Sequence, residues 1–176
     1  MKRSFATLIA LSIVLLTNTS KAQIVVPDDM IKSSSVTFLT KSISKDSFVV
    51  VDTENEYFNQ TPKLAKFPAA SFVKRNHTLI QAFTSVFNKN RLQTLYPELT
   101  MGINYYVNSQ TGNVEEVTFL FRKNTELTVA ELQKLEYELM RLVVFKVTPQ
   151  LKQNKEIVIL TQNVPYRKIV DSSIDF

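Results

Sequence analysis

The chain places three carboxylates at alternate positions in the stretch DTENE, namely Asp52, Glu54 and Glu56. Alternate residues of a β-strand share one face, so on a strand these carboxylates offer oxygen ligands to a hard cation or line the polar cleft of an enzyme. Tyr57 follows them, where a calcium-binding loop would use glycine for its sharp turn. We favour a simpler interpretation, in which these carboxylates form a solvated strand face, because charged side chains are usually exposed.

The rest of the sequence lacks the residue sets of the common catalytic and metal sites. His77 is the only histidine and there is no cysteine, so the ligands of a zinc site and the partners of a catalytic nucleophile are missing. The two glycines, Gly102 and Gly112, do not make a phosphate-binding loop. Glu115 and Glu116 point to opposite faces of a regular strand, which makes a poor acid/base pair. We therefore predict no catalytic residue, no metal and no cofactor, and a protein that is not an enzyme.

Residues 1–22 have the pattern of a secretory signal peptide. Lys2 and Arg3 precede an apolar run over residues 5–16, which is shorter than the roughly 20 residues of a membrane-spanning helix. We predict cleavage near Ala22, with an uncleaved anchor as the alternative, and no lipid anchor because a lipobox requires cysteine. The expected product is exported, periplasmic or secreted, and has no stable transmembrane segment after processing.

Cleavage also changes the charge of the protein. Removal of residues 1–22 leaves 18 basic and 16 acidic side chains, so the net charge falls from +5 to +2. A balance so near neutrality gives little attraction to phosphates, and we predict no binding of nucleic acid. Without cysteine there are no disulfides, and 154 residues suffice for an ordinary core. We predict one domain over 23–176, with a β- and loop-rich lead-in over 23–75 and a core over 76–170.

Two runs in the lead-in are rich in β-branched and aromatic residues, VTFLT (36–40) and SFVVVDTENEYF (47–58). They predict two strands joined as a loose hairpin, and the proline-containing stretch that follows predicts a loop. From Asn76 the apolar residues recur at steps of three and four, which predicts a helix that ends at Pro97. Its start is either Asn76 or a capping box formed by Thr78 and Gln81.

The next segment predicts a β-hairpin. Alternating apolar residues over 99–108 are typical of a strand, and Gly112 can adopt the positive φ of a tight turn. In the second strand Val117 and its alternate neighbours share one face, whereas Val114 has the opposite parity, so we expect a bulge or a longer turn near Glu115.

The C-terminal part combines a helix with a final strand. Thr128 and Glu131 form a capping box for a helix over 128–145, whose leucines make one apolar stripe. EIVILTQNVPY predicts a strand. The order of elements predicts an α+β fold, in which an antiparallel sheet carries helices packed on one face.

Residues 96–166 resemble the C-terminal domain of TonB-like proteins. The stretch MGINYYVNSQTGNVEEVTFLF is similar to that family's hairpin, with Gly112, Val114 and Val117 at its G-x-V-x-x-V positions, and Tyr96-Pro97 is similar to its YP dipeptide. The resemblance implies that the final strand pairs with an extended partner. The leader, which ends in AQ, resembles those of exported Bacteroidota-type proteins, many of which are uncharacterised.

These observations predict an exported binding or assembly module whose partner is a protein or peptide. Its peptide-binding residues are predicted from the resemblance in the final strand: Ile157, Val158, Ile159 and Leu160. The same residues are apolar on both faces, which suits a covered central strand, and in that case the strand at 114–122 would be the edge. The alternative function is an enzyme that uses the carboxylates around Asp52.

Overall fold

The computed structural model describes residues 25, 29–32, 35–59, 72–73, 76–98, 100–122, 125–147 and 157–171. The predicted signal peptide lies outside the described residues, as does most of the predicted loop over 59–75. The strands are β1 Met30–Lys32, β2 Thr37–Ser44, β3 Ser47–Asp52, β4 Phe72–Val73, β5 Thr100–Asn108, β6 Val114–Arg122, β7 Lys146–Val147 and β8 Ile157–Pro165. The helices are α1 Asn76–Val86, α2 Lys89–Thr94, a 3₁₀ turn Tyr96–Glu98, α3 Val129–Leu142 and α4 Tyr166–Val170.

Six strands form one antiparallel sheet in the order β1-β2-β3-β6-β5-β8, and β4 pairs with β7 in a small second sheet. The hairpins β2–β3 and β5–β6 are joined through pairing of β3 with β6. The α+β class predicted from the sequence is confirmed. The strands of the predicted lead-in thus continue the same sheet as the strands of the predicted core.

The helices pack on one face of this sheet and form a single hydrophobic core with it. On β5 the core-facing residues are Met101, Ile103, Tyr105 and Val107, all fully buried. Leu132, Leu135 and Leu139 of α3 are also fully buried, as the leucine stripe predicted. The capping box of α3 is confirmed, since the side chain of Thr128 accepts from the backbone N–H of Glu131 and the side chain of Glu131 accepts from that of Thr128.

The β5–β6 hairpin has the predicted turn at Gly112 and, of the two alternatives near Glu115, the bulge. Gly112 has φ of 81°, and a Cβ there would overlap the carbonyl oxygen of Phe145, so both conformation and space require glycine. The register shifts where Tyr106 pairs with Glu116 and Val107 pairs with Val114, which leaves Glu115 as the extra residue.

One helix and one strand end earlier than predicted, and one of the two alternative starts of that helix is excluded. The long helix from Asn76 towards Pro97 is two helices, because the Asn88 side chain accepts the N–H of Arg91 at 2.8 Å and starts α2 anew. The first helix begins at Asn76, so Thr78 lies inside it rather than at its N-cap. The strand predicted over 47–58 ends at Asp52.

Candidate functional sites at the open strand edge and the acidic turn

The final strand, β8, lies at one edge of the six-stranded sheet. Within the described part of the chain it pairs with β5 alone, over its whole length from Ile157 to Pro165. The alternative that the strand at 114–122 forms the edge is wrong, because β6 lies between β3 and β5. The residues predicted for peptide binding are therefore on an edge strand.

The backbone of β8 presents every second residue to this edge. In an antiparallel sheet, successive residues direct their N–H and C=O groups to opposite neighbouring strands. Asn108 donates its N–H to the carbonyl oxygen of Asn113 on the β6 side, at 2.9 Å, so the odd-numbered residues of β5 face β8. The register pairs Tyr105 with Leu160, so the even-numbered residues of β8 bond to β5. The N–H and C=O groups of the odd-numbered residues, among them Ile159, point to the open edge.

Proline at the end of the strand agrees with this assignment. Pro165 has an odd number and lacks an N–H, so its place on the open side removes no bond from the ladder with β5.

The apolar half of β8 contributes to both faces of the sheet. Val158 is 3 % exposed and, with half-buried Leu160, lies on the core face. Ile157 and Ile159 lie on the outer face and are half-buried. The sequence pattern suggested a central strand because Ile157–Leu160 are apolar on both faces. An edge strand that is partly covered on both faces is also apolar on both, so this pattern does not distinguish the two positions.

The second half of β8 is polar and anchored to β5. Thr161 donates its hydroxyl to the side-chain oxygen of Asn104 at 2.7 Å, and Tyr105 donates its hydroxyl to Oε1 of Gln162 at 3.2 Å. Nε2 of Gln162 is buried and has no hydrogen-bond partner. The strand is thus fixed by side chains on its β5 side.

The three carboxylates predicted to share a strand face lie in different surroundings. Asp52 is the last residue of β3, whereas Glu54 and Glu56 are exposed in the turns that follow, so the prediction of one strand face is wrong. The physical reason is local. Asp52 Oδ1 accepts the N–H of Glu54 at 2.9 Å. Asn55 Oδ1 accepts the N–H groups of Tyr57 and Phe58. Side-chain hydrogen bonds thus take the place of the backbone hydrogen bonds that would continue the strand.

The bulge at Glu115 brings two further carboxylates to this end of the sheet. Val114 and Val117 both face the core. Because of the bulge, Glu115 and Glu116 therefore both lie on the outer side of the strand. The prediction that they point to opposite faces, which holds for a regular strand, is wrong. Burial, followed by the charges of Asp52 and the neighbouring glutamates, raises the pKa of Glu116 to about 7.

Glu136 is a further carboxyl group, on the helix α3 that packs on the core face of the sheet, and the sequence analysis missed it. It is 6 % exposed, and its Oε1 is buried without a hydrogen-bond partner. Burial raises its pKa to about 8, and the charges of Asp52 and Glu116 act in the same direction. The available signal was its position four residues after Leu132, beside the buried leucine stripe.

An aromatic pair lies beside the carboxylates. Tyr57, in the turn after β3, stacks on Tyr106 of β5 with ring centroids 5.9 Å apart. Tyr106 is 3 % exposed, whereas Tyr57 is half-buried. The amide of Asn55 donates to the carbonyl oxygen of Val117 at 3.3 Å, which ties the turn to β6.

The structure does not bring the classical ligand sets together. Among the described residues, no three or more histidine, cysteine, aspartate or glutamate side chains are spaced to hold a metal ion. His77 lies in the first turn of α1, and its side chain is outside the described part of the molecule. No helix in the residues that the structure describes is long and apolar enough to cross a membrane.

The architecture defines an α+β domain built on a six-stranded antiparallel sheet. A solved structure of similar fold is that of a DUF5043 family protein from Bacteroides uniformis, with a TM-score of 0.67 and 13 % identity, covering 82 % of this chain and 89 % of that chain. At this identity the likeness shows the fold alone, and the source of the neighbour agrees with the resemblance to Bacteroidota-type proteins. No family model matches the chain, and no curated protein matches it. These comparisons do not confirm the resemblance to the TonB C-terminal domain, which stays a prediction.

Proposed function

We propose that the protein is an exported binding or assembly module that pairs with an extended peptide segment by strand addition at β8. The observation that carries the proposal is the edge position of β8, whose odd-numbered backbone groups lack a neighbouring strand in the described part of the chain. Edge strands with unpaired N–H and C=O groups are templates for a further strand.

The side chains of β8 support a peptide as the partner. In strand addition, backbone hydrogen bonds supply affinity and the side chains on the two faces supply specificity. A segment beside β8 would place one set of residues next to Ile157 and Ile159 on the outer face. Its alternate residues would lie next to Val158 and Leu160 on the core face, where further apolar surface is covered.

The remaining parts of the proposal come from the sequence. The basic start and short apolar run of residues 1–22 support export to the periplasm or beyond, with cleavage near Ala22. Mass determination of the protein recovered from the envelope tests this part, because an intact leader on a membrane-embedded product would contradict it. The TonB-like order of elements also supports pairing through the final strand.

We propose no catalytic activity. One observation favours the enzyme alternative, namely that the pKa of Glu116 is about 7, which lies in the range where general acids and bases work best. An activity of the purified protein that is lost in folded Glu116→Gln, and retained in Glu138→Gln on α3, would replace the binding proposal with this alternative.

Ile159→Pro tests strand addition directly. Its N–H points to the open edge, so proline removes one donor and places a ring there without removing a bond to β5. Ile159→Thr is the matched control, because it shortens the same side chain and keeps the N–H.

The partner must first be identified at the residue level. A photoreactive side chain at exposed Asn163 would cross-link a segment from an envelope extract, and mass spectrometry would give that segment's sequence. A synthetic peptide of this sequence is then titrated into the wild type and both variants by calorimetry. We expect Ile159→Pro to weaken binding at least tenfold and Ile159→Thr to weaken it less than threefold. Equal affinity of wild type and a folded Ile159→Pro would contradict pairing at this edge.

A further inference from the structure

We propose that the groove between α1 and α3 binds a small organic carboxylate with an apolar body. The two helices, α1 Asn76–Val86 and α3 Val129–Leu142, pack against each other and leave this groove on their outer side. The site lies on the helices, apart from the edge of β8, and does not depend on the proposed strand addition.

The groove has the volume of a small-molecule site. It encloses about 430 Å³, and its lining includes Val86 of α1 and Ala130, Gln133, Lys134, Tyr137 and Glu138 of α3. Ligand sites generally span roughly 300–1,000 Å³. A standard protein interface buries about 800 Å² on each partner, which is more than a groove lined by so few residues supplies. Its size therefore favours a small molecule over a protein.

An apolar part of the groove is open to solvent. Five large hydrophobic residues are exposed in the described part of the chain, and Tyr137 is the most exposed of them. Val86, which packs partly buried against the core, lines the groove from α1. The body of a ligand in the groove would cover the Tyr137 ring and remove this apolar surface from water.

The polar groups of the groove leave one positive charge without a counter-charge. Glu138 forms a salt bridge with Arg141, whereas no salt bridge between described residues includes Lys134. Gln133 donates its side-chain amide to the hydroxyl of Ser35. The sequence of α1 contains no acidic residue, so this helix supplies no anion to the groove. The Lys134 ammonium is therefore the group that attracts an anionic ligand.

The ammonium and the ring are neighbours on α3. Lys134 and Tyr137 are three positions apart, a spacing that places the Cβ atoms about 5–6 Å from each other on a helix surface. A ligand can thus set its carboxylate against Lys134 and its apolar body against Tyr137 and Val86 at the same time. One ammonium balances one negative charge, which fits a monocarboxylate better than a phosphate monoester with its charge of about −2.

Titration of the whole protein with a defined probe tests the site. Hydrocinnamate carries one carboxylate and an apolar ring, and hydrocinnamide has the same shape without the charge. The ring signals of Tyr137 are followed by NMR while each is added. We expect saturable binding of hydrocinnamate with a dissociation constant on the order of 1 mM, as suits a ligand of this size. Hydrocinnamide should bind at least fivefold more weakly.

Three variants locate the binding at exposed positions, where substitution should leave the fold intact. Lys134→Gln should weaken binding of hydrocinnamate at least fivefold and remove the preference for the acid over the amide, which loss of helix packing alone would not do. Tyr137→Ala, followed by backbone amide signals, should weaken the acid and the amide by the same factor, because it removes apolar contact only. Lys168→Gln on α4 removes the same charge elsewhere and should change affinity less than twofold.

Three results would overturn the proposal. The first is the absence of saturable binding of hydrocinnamate. The second is equal affinity for the acid and the amide, or an equal loss of affinity in Lys134→Gln and Lys168→Gln, because recognition of the carboxylate by Lys134 would then be lacking. The third is tighter binding of a short glycine peptide that ends in phenylalanine, which would make the groove a docking site for the C-terminus of a protein.

Discussion

Glu131 and Glu136 lie on the same helix, five positions apart, in opposite surroundings. Burial alone would raise the pKa of Glu131, but hydrogen bonds from Arg91 and Thr128 outweigh it and lower the pKa. Arg91 holds both carboxylate oxygens, with Nε to Oε1 at 2.7 Å and Nη2 to Oε2 at 2.9 Å. Glu136 is more deeply buried, has no such donor, and has a pKa raised to about 8.

The difference separates a carboxylate that stabilises the fold from one that destabilises it when ionised. Glu131 caps α3 and links it to α2, and Arg91 also donates to the carbonyl oxygen of Glu126 at 2.7 Å. Oε1 of Glu136 has no hydrogen-bond partner, and no salt bridge between described residues includes Glu136. Because this oxygen is buried, ionisation of the carboxyl group is costly and its pKa is raised.

Removal of a core leucine from α3 should have the largest effect on stability, because it loosens the helix that carries both Glu131 and Glu136. Leu135 and Leu139 are fully buried. Leu135→Ala or Leu139→Ala should each lower the free energy of unfolding by about 2–5 kcal/mol, measured by urea denaturation. Tyr137→Ala, at a position of the same helix that is 64 % exposed, is the control and should change it far less. An unchanged midpoint in both leucine variants would refute the packing of α3.

Arg91→Ala makes Glu131 resemble Glu136. The substitution leaves a half-buried carboxylate without its bidentate partner, and we expect a loss of about 1–3 kcal/mol in the free energy of unfolding. The pKa of Glu131 is lowered in the folded state, so its contribution is present above its unfolded pKa and is lost as pH falls through the folded value. The variant should therefore lose most stability at neutral pH and least under acid conditions. Equal losses at both would contradict the ion pair.

Glu136→Gln makes Glu136 resemble a satisfied, neutral residue. The folded pKa of about 8 lies above the ordinary value of 4.5 for a glutamate, so the cost of ionisation is absent below pH 4.5 and grows as pH rises towards 8. The variant should gain on the order of 1–2 kcal/mol over the wild type at pH 8 and nothing at pH 4. Thermal denaturation of both proteins across this range measures the difference. The charges of Asp52 and Glu116 also raise the pKa of Glu136, so Glu116→Gln should show a smaller shift in the same direction. A gain that is equal at all pH values would contradict a titrating Glu136.

The elements that the sequence predicted correctly depend on local signals. The capping box of Thr128 and Glu131, the turn at Gly112 and the bulge at Glu115 each follow from residues a few positions apart. The errors arose where a polar side chain ended a helix or a strand although the apolar pattern continued. Asn88 interrupted a helix whose apolar period continued, and Asp52 ended a strand whose composition predicted six further residues.

The candidate sites were less predictable than the elements. The residues of β8 were identified, but their edge position depends on which strands pair across the sheet, which apolar alternation does not encode. Glu136 was missed because α3 and the β3 turn are far apart in the sequence. Only the assembled fold shows that this glutamate is buried beside the leucine stripe and that the charges of Asp52 and Glu116 raise its pKa.

The most direct test of the proposed function is amide hydrogen exchange along β8 in the isolated protein, followed residue by residue by NMR. We predict slow exchange at Val158, Leu160, Gln162 and Val164, whose N–H groups bond to β5, and fast exchange at Ile157, Ile159, Thr161 and Asn163, whose N–H groups face the open edge. Addition of the synthetic peptide with the sequence of the cross-linked segment should slow exchange in the second set of residues and leave exchange in the first set unchanged. Uniformly slow exchange along the whole strand without a partner would mean that the edge is already covered, and it would contradict strand addition at β8.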